Sequence, residues 1–186
     1  MSPEVAALFR DAGSFSGLPA PVPPISEIVR HVYLGSATAA KTPEILLAHD
    51  IAEVVNCAKE IARPGPCQAD RIFAYTHVEM DDVVRFGDAA GCIARIADAI
   101  HASVSRQHNV LVHCAMGVSR SASGLIYYLV RHRDMSLLEA ATLVRQQRSI
   151  IYPNKGFWKA LLRMEREHRQ TGSIPDEALQ LHSDME

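Results

Sequence analysis

The sequence predicts an α/β domain with a central, mostly parallel and twisted β-sheet that is flanked by helices. Short segments rich in β-branched and aromatic residues alternate along the chain with segments of helical periodicity, which is the order typical of this class. The segment Asn109–His113 is almost continuously apolar, as expected of a central strand covered on both faces. The chain of 186 residues also has the usual length of one domain.

Three more segments have the composition of strands, and five positions indicate the start of a helix. The strand-like segments are residues 31–34, 53–56 and 71–78. Helices are predicted after the cap Thr42 with Pro43, from Asp88 through Ile93, Ile96, Ile100 and Val104, after residue 119, after the capping box of Ser136 with Glu139, and after the cap Asn154. We expect the last four helices to pack on one face of the sheet.

The two ends of the chain differ in composition from the middle. Residues 1–25 hold half of the ten prolines, and residues 171–186 are mostly polar. These compositions favour a flexible, Pro-rich segment over 1–25 and a polar tail over 171–186. The folded domain is therefore predicted over 26–170.

Composition narrows the classes of partner. A net charge of −2 and a pI near 6.5 provide no overall attraction to nucleic acid or to an anionic membrane. No apolar run approaches the roughly 20 residues that a membrane span needs. We therefore expect no nucleic-acid partner and no membrane span.

The cysteines and histidines lack the spacings of metal or disulfide sites. The four cysteines include no CxxC pair, and the nine histidines include no HExxH motif. With no secretory signal at the start, this pattern predicts reduced thiols, a cytoplasmic and also nuclear location, and neither a metal nor a cofactor.

The segment with the clearest chemistry is the turn that begins at Cys114, between the strand Asn109–His113 and the next helix. A cysteine in that position lies against a helix N-terminus, where unpaired N–H groups favour an anion. The pKa of such a thiol falls from about 8.5 to between about 3.5 and 7.5, so the sulfur is a nucleophilic thiolate at neutral pH.

The same turn is suited to binding a phosphate group. Its backbone N–H groups can converge on the phosphate oxygens, Gly117 permits a tight backbone, and Arg120 offers a planar fork of donors. Alone, a cysteine after an apolar strand is more often a packing residue. Together with Gly117 and Arg120, Cys114 is better explained as a nucleophile.

These residues carry a resemblance to a known family. The sequence HCAMGVSRS at 113–121 resembles the HCxxGxxR[ST] signature of cysteine-dependent protein tyrosine phosphatases. Other blocks are similar to the small atypical dual-specificity phosphatases: VYLGSA at 32–37, VVNCA at 54–58, LVHCAMGVSRSA at 111–122, MSLLEA at 135–140 and YPNKGFW at 152–158. The resemblance covers residues 26–169 and implies a tyrosine-phosphatase-like fold with a shallow active site.

The resemblance also implies roles for individual residues. Cys114 would attack phosphorus and form a phosphocysteine, Arg120 would bind the phosphate oxygens, and Ser121 would hydrogen-bond the sulfur as it leaves. The phosphate-binding loop would comprise Cys114, Ala115, Met116, Gly117, Val118, Ser119 and Arg120.

A general acid is implied near two adjacent aspartates. Asp82 lies at the family's spacing from Tyr75 and from Cys114, so we predict it as the acid in preference to Asp81. His113, Asn154 and Asn56 are predicted to support the site: His113 would hold the loop and tune the thiolate, and the two asparagines would buttress the loop.

The sequence also leads to expectations about the other three cysteines, the substrate class and the oligomeric state. Cys57, Cys67 and Cys92 are interpreted as packing thiols, although a disulfide of one of them with Cys114 under oxidation stays open. Because the loop contains no lysine, phosphoproteins are favoured over lipid or RNA phosphates, and a protein kinase is one candidate substrate. We expect a monomer or a weak dimer.

Three other functions explain the sequence less well. A phospho-binding scaffold without activity would not need both Cys114 and an aspartate, and a rhodanese-like sulfur transferase would not need Arg120. A phosphatase acting on a glycan, a nucleotide or another non-protein phosphoester remains an alternative. The prediction is therefore a protein phosphatase for phosphotyrosine and phosphoserine/phosphothreonine.

Overall fold

The computed structural model describes residues 2–10, 22–62 and 74–182, which form one five-stranded sheet with helices on both faces. The strands are β1 Ile25–Val29, β2 Val32–Gly35, β3 Ile51–Asn56, β4 Ala74–His77 and β5 Asn109–His113. The helices are α1 Pro3–Arg10, α2 Ala37–Lys41, α3 Pro43–Ala48, α4 Ala89–Ser105, α5 Arg120–Arg133, α6 Leu137–Gln147 and α7 Lys155–Arg169, and a 3₁₀ helix spans Asp176–Leu181.

The strand order is β1-β2-β5-β3-β4, and only β1 is antiparallel to its neighbour. The prediction of a mostly parallel sheet is thereby confirmed. Four strands end in one row, since Gly35 pairs with His113, His113 with Asn56, and Asn56 with His77. The loops that follow these strands therefore emerge together at one edge, where parallel α/β sheets bind their ligands.

The central strand β5 is covered on both faces, as its apolar sequence predicts. Val110 and Val112 pack in the cluster that includes helices α4 to α7, while Leu111 packs with α2 and α3 on the opposite face. The four late helices do lie on one side, as expected. Helix α5 begins one short loop after the end of β5, so its N-terminus lies at the carboxyl edge of the sheet.

Most local signals for the elements are confirmed. Ser136 and Glu139 form the capping box of α6, and the Asn154 side chain caps α7 by accepting from Phe157 N–H at 3.0 Å. Helix α3 begins at Pro43, but the Thr42 hydroxyl donates to the Thr38 carbonyl at 2.7 Å and does not cap the helix. The short elements β1 and α2 were not predicted from the sequence.

The described parts of both chain ends are more ordered than predicted. Residues 3–10 of the expected flexible segment form α1, whose Phe9 is buried with its ring centroid 4.8 Å from that of Trp158. At the other end, Ala178 and Leu179 of the 3₁₀ helix are buried. The prediction rested on proline content and polarity, and it overlooked the few apolar residues that cover the outer helices.

Some predictions fall outside the described residues. These are Cys67, residues 71–73 of the predicted fourth strand, residues 11–21 of the Pro-rich segment and residues 183–186 of the tail. The remaining part of that strand is confirmed as β4. Across residues 2–10, 22–62 and 74–182, no helix is both long and apolar enough to cross a bilayer.

Candidate active site

The loop from Cys114 to Ser119 joins β5 to α5 at the carboxyl edge of the sheet. The Cys114 side chain is buried, with 2% of its surface exposed. Its sulfur accepts a hydrogen bond from the Gly117 N–H at 3.3 Å and another from the Ser121 hydroxyl at 3.2 Å. The sulfur is therefore surrounded by donors from the loop and from the first turn of α5.

These donors determine the ionisation of the thiol. Burial by itself raises the pKa of Cys114, but the hydroxyl and N–H of Ser121, the Arg120 charge and the Val118 N–H together lower that pKa below its ordinary value. A lower pKa means more thiolate at neutral pH, which is the form that attacks phosphorus.

The four carbonyl groups of residues 115–118 all have partners outside the loop. The pairs are Ala37 N–H with Ala115 O at 3.0 Å, Arg148 Nη2 with Met116 O at 2.9 Å, Arg148 Nε with Gly117 O at 3.0 Å, and Tyr152 N–H with Val118 O at 2.8 Å. In a planar trans peptide the C=O and N–H point in opposite directions. Outward carbonyls therefore turn the intervening N–H groups towards the inside of the loop, where they form an anion-binding nest.

Gly117 is needed for this loop geometry for two reasons. Its φ of 70° lies in the left-handed region, which side chains disfavour. A Cβ at this position would also lie 2.5 Å from the Gly35 carbonyl oxygen. The glycine of the signature therefore permits both the turn and the close approach of β2.

Arg120 points inward and is only 5% exposed. Its Nη1 and Nη2 donate to the two carboxylate oxygens of Glu60 at 2.6 and 2.7 Å, and Nη1 also donates to the Met80 carbonyl at 3.1 Å. The buried Nε–H has no hydrogen-bond acceptor within the described residues and lies 3.5 Å from Asp82 Oδ2. The two terminal nitrogens of the guanidinium group are thus held in place. The Nε–H, which makes no hydrogen bond in the described residues, remains a donor for an oxyanion.

Glu60 was not predicted as a site residue from the sequence. This residue lies on the loop after β3, next to β5 in the sheet, and a carboxylate at the end of a neighbouring parallel strand was the signal that could have found it. Asn56 supports this loop: its amide donates to Ile61 O at 2.6 Å and to the Tyr75 hydroxyl at 3.0 Å. The predicted contact of Asn56 with the phosphate loop is replaced by contacts with the loop that carries Glu60.

The two aspartates have different surroundings. Asp82 Oδ1 accepts from the Ser119 hydroxyl at 2.7 Å and from the Asn154 amide at 2.8 Å, so it is linked directly to the candidate phosphate loop. Asp81 instead forms an exposed ion pair with Lys59 at 3.1 Å. The structure brings Asp82, and not Asp81, to the loop, and its role as general acid stays a prediction.

Asn154 and His113 both contact the site. The Asn154 N–H donates to Ser119 Oγ at 3.2 Å, so this residue holds the loop as well as capping α7. His113 Nδ1 lies 3.2 Å from the Cys114 carbonyl oxygen, and burial lowers the pKa of His113 to about 4. A neutral imidazole can hold the loop, but it contributes no positive charge to the thiolate.

Two other described cysteines are buried and free. Cys57 and Cys92 form no disulfide, and burial raises the pKa of both thiols. High pKa values favour the neutral thiol, which suits the predicted packing role.

Three comparisons with known proteins agree with this geometry. The family model for the dual specificity phosphatase catalytic domain matches residues 32–167 of this chain. Human dual specificity protein phosphatase 14 is 38% identical over 144 residues, which cover 77% of this chain and 70% of that protein.

Solved structures are similar as well. The crystal structure of human DUSP28 is 33% identical, with a TM-score of 0.71, and the match covers 82% of this chain and 99% of that one. A mouse putative dual specificity phosphatase complexed with zinc tungstate is 30% identical, with a TM-score of 0.73, and the match covers 88% of this chain and 100% of that one.

Proposed function

Since this chain belongs to the dual-specificity phosphatase family and is a protein phosphatase, we propose that it cleaves phosphotyrosine and phosphoserine/phosphothreonine esters through a phosphocysteine at Cys114. The observation that supports this most directly is the set of donors around one point. The Cys114 sulfur accepts hydrogen bonds from the Gly117 N–H and the Ser121 hydroxyl, and the positive charge of Arg120 acts on the same sulfur. The Arg120 Nε–H makes no hydrogen bond in the described residues. A phosphate group there would meet a nucleophile and a positive clamp together.

In the first step the thiolate of Cys114 attacks phosphorus while the bond from phosphorus to the ester oxygen breaks. The loop N–H groups and Arg120 would stabilise the charge on the three equatorial oxygens. Asp82 would donate its proton to the departing oxygen, because the Ser119 and Asn154 contacts hold its carboxyl group beside the loop.

In the second step a water molecule attacks the phosphocysteine. Asp82, now a carboxylate, would take a proton from that water, and the sulfur would leave as a thiolate. The Ser121 hydroxyl, 3.2 Å from the sulfur, would stabilise the developing negative charge. Inorganic phosphate is released and the enzyme returns to its starting state.

The charge pattern of the loop supports phosphoproteins as substrates. Ala115, Met116 and Val118 add no cation that would favour a multiply charged lipid headgroup or an RNA triphosphate. Arg120 is therefore the clamp for a single phosphate. A protein kinase remains one candidate among such substrates.

The proposed monomer or weak dimer agrees with the small number of exposed large apolar side chains in the described residues, which are Leu47, Val83, Val84 and Met116. The cytoplasmic and nuclear location stays a proposal that rests on cysteine usage.

A panel of phosphopeptides tests the proposed activity. Peptides with phosphotyrosine, phosphothreonine, phosphoserine and two phosphates would be assayed with the wild type and with Cys114→Ser. We expect the wild type to release phosphate and the variant to release none, with a phosphocysteine trapped by rapid acid quench of the wild type. Hydrolysis by Cys114→Ser at the wild-type rate would refute the mechanism.

A further inference from the structure

Arg148, which follows α6, is a buried cation that the sequence analysis did not single out. It is 3% exposed, and within residues 2–10, 22–62 and 74–182 no carboxylate forms an ion pair with it. Burying a charge without an opposite charge costs free energy unless hydrogen bonds compensate. The hydrogen bonds of the Arg148 side chain must therefore offset the free-energy cost of its burial.

All the hydrogen bonds of Arg148 go to uncharged oxygens. Nε donates to Gly117 O at 3.0 Å, and Nη2 donates to Met116 O at 2.9 Å. On the other side, Nη1 donates to Pro23 O at 2.8 Å and to Ser26 Oγ at 3.3 Å. The planar guanidinium thus joins the candidate phosphate loop to the segment that leads into β1.

The two carbonyls belong to the peptide planes that present N–H groups to the sulfur. The plane of Met116 O contains the Gly117 N–H, which donates to Cys114 Sγ at 3.3 Å. The plane of Gly117 O contains the Val118 N–H, one of the groups that lower the pKa of Cys114. Because C=O and N–H are antiparallel in a trans peptide, holding these carbonyls outward aims both N–H groups inward.

We propose that Arg148 is a positioning residue for the phosphate-binding loop, and that its fork of donors holds two loop peptides in the orientation that binds the phosphate and the thiolate. The proposal rests on the function assigned to Cys114 above. Arg148 itself touches neither the sulfur nor the position of the phosphate, so it acts through the loop backbone.

The charge of Arg148 adds a second contribution. The titratable groups around Cys114 in the described residues are the positive Arg120 and Arg148, the carboxyl groups of Asp82 and Glu60, the Cys57 thiol and the neutral His113. A buried positive charge behind the loop favours the thiolate. Orientation and charge can be separated by substitution, because lysine keeps the charge but cannot reproduce the planar fork.

The test compares Arg148→Met, Arg148→Lys and the control Arg145→Met. Arg145 lies in the last turn of α6 and also donates to a backbone carbonyl, that of Leu8 at 2.9 Å, which is far from the loop along the chain. For each protein, kcat and KM are measured on a phosphotyrosine peptide. The pH dependence of Cys114 alkylation by iodoacetamide is followed by mass spectrometry of the Cys114 peptide.

We expect Arg148→Met to lower kcat by about 10- to 100-fold, the range seen when an outer-shell partner of a site is removed. Its alkylation midpoint should move to higher pH, because both the N–H orientation and the charge are lost. Arg148→Lys should lower kcat similarly but move the midpoint less. Arg145→Met should match the wild type in kcat and in midpoint.

A wild-type kcat and midpoint in Arg148→Met would overturn the proposal. If circular dichroism shows that Arg148→Met does not fold, Arg148→Lys decides, and wild-type behaviour in that variant overturns the positioning role. Activity in Cys114→Ser would instead refute the proposed mechanism, whatever the Arg148 variants do. The two failures are therefore distinguishable.

Discussion

Each edge of the sheet contains an arginine–glutamate ion pair with one buried member, Glu53 at the amino edge and Arg120 at the carboxyl edge. The two buried members differ in how many of their hydrogen-bonding groups have a partner. At the amino edge, Glu53 accepts from Arg106 at 2.7 Å, from Ser103 at 2.7 Å and pairs with His108 at 2.6 Å. At the carboxyl edge, Arg120 binds Glu60 but keeps an Nε–H without an acceptor in the described chain.

This difference separates a structural cluster from a site for a ligand. The Glu53 cluster joins β3 to the end of α4 and to the residue before β5, and the buried carboxylate is saturated with donors from these elements. The Arg120 pair leaves a buried donor available, which costs stability unless a ligand uses it. Glu53→Gln at the amino edge should therefore reduce stability, whereas Glu60→Gln at the carboxyl edge should reduce activity.

The largest expected effect is on the general acid at the carboxyl edge. Asp82→Asn should lower kcat by roughly 100- to 10,000-fold, the usual contribution of acid–base catalysis. Fixed-time assays of phosphopeptide hydrolysis at saturating substrate would measure kcat.

Asp81→Asn is the matched control for that substitution. Asp81 only forms an exposed ion pair with Lys59, so kcat should stay near the wild-type value. If Asp81→Asn caused the large loss and Asp82→Asn did not, the assignment of the acid would be wrong by one residue.

At the amino edge, Glu53→Gln should reduce stability and leave turnover unchanged. Burial alone would raise the pKa of Glu53, but hydrogen bonds from Arg106, His108 and Ser103 lower that pKa from 4.5 to about 2. A shift of this size corresponds to about 3 kcal/mol of unfolding free energy at neutral pH. Urea unfolding of wild type and variant would measure the difference.

The pH dependence of that difference has a definite sign. Because the folded-state pKa is depressed, the stabilisation is complete above pH 4.5 and is lost as pH falls through about 2. The gap between wild type and Glu53→Gln should therefore narrow over this range. If the difference in unfolding free energy between wild type and Glu53→Gln stayed constant from pH 6 down to pH 2, the ionised carboxylate would not be the source of that difference.

The corresponding substitution at the carboxyl edge, Glu60→Gln, should lower kcat/KM by about tenfold, because one hydrogen bond and the charge that orient Arg120 are lost. The Glu60 side chain is 54% exposed, so the unfolding free energy should change little. Steady-state kinetics and urea unfolding of the same preparation give both values. A large loss of stability with unchanged kcat/KM would remove the contrast between the two edges.

The smallest expected effect is at the loop that follows Asp82. A Cβ on Gly156 would collide with the Val84 carbonyl oxygen, so Gly156→Ala must displace this loop. We expect a few-fold drop in kcat/KM, because the displacement moves Asp82 slightly. Gly87→Ala is the control, since nothing lies within 4 Å of its Cβ. If Gly156→Ala and Gly87→Ala had the same kcat/KM, the position of this loop would have no effect on activity.

The sequence by itself determined the sheet class, the central strand, the caps of α6 and α7, and the loop with Cys114 and Arg120. Strand apolarity, caps and the turn depend on residues close together in the chain, and their signals can be read locally. Asp82 was predicted from its family spacing, and the structure places its carboxyl group 2.7 Å from the Ser119 hydroxyl.

Only the tertiary structure decided which distant groups complete the site and cover the outer helices. Glu60 and Arg148 lie on other elements than Cys114 and reach the loop because the parallel strands end in one row and α6 ends behind that row. Phe9 likewise gains its place against Trp158 from packing across the length of the chain. Such contacts have no local pattern, since their free energy comes from burial and pairing that exist only after the chain has folded.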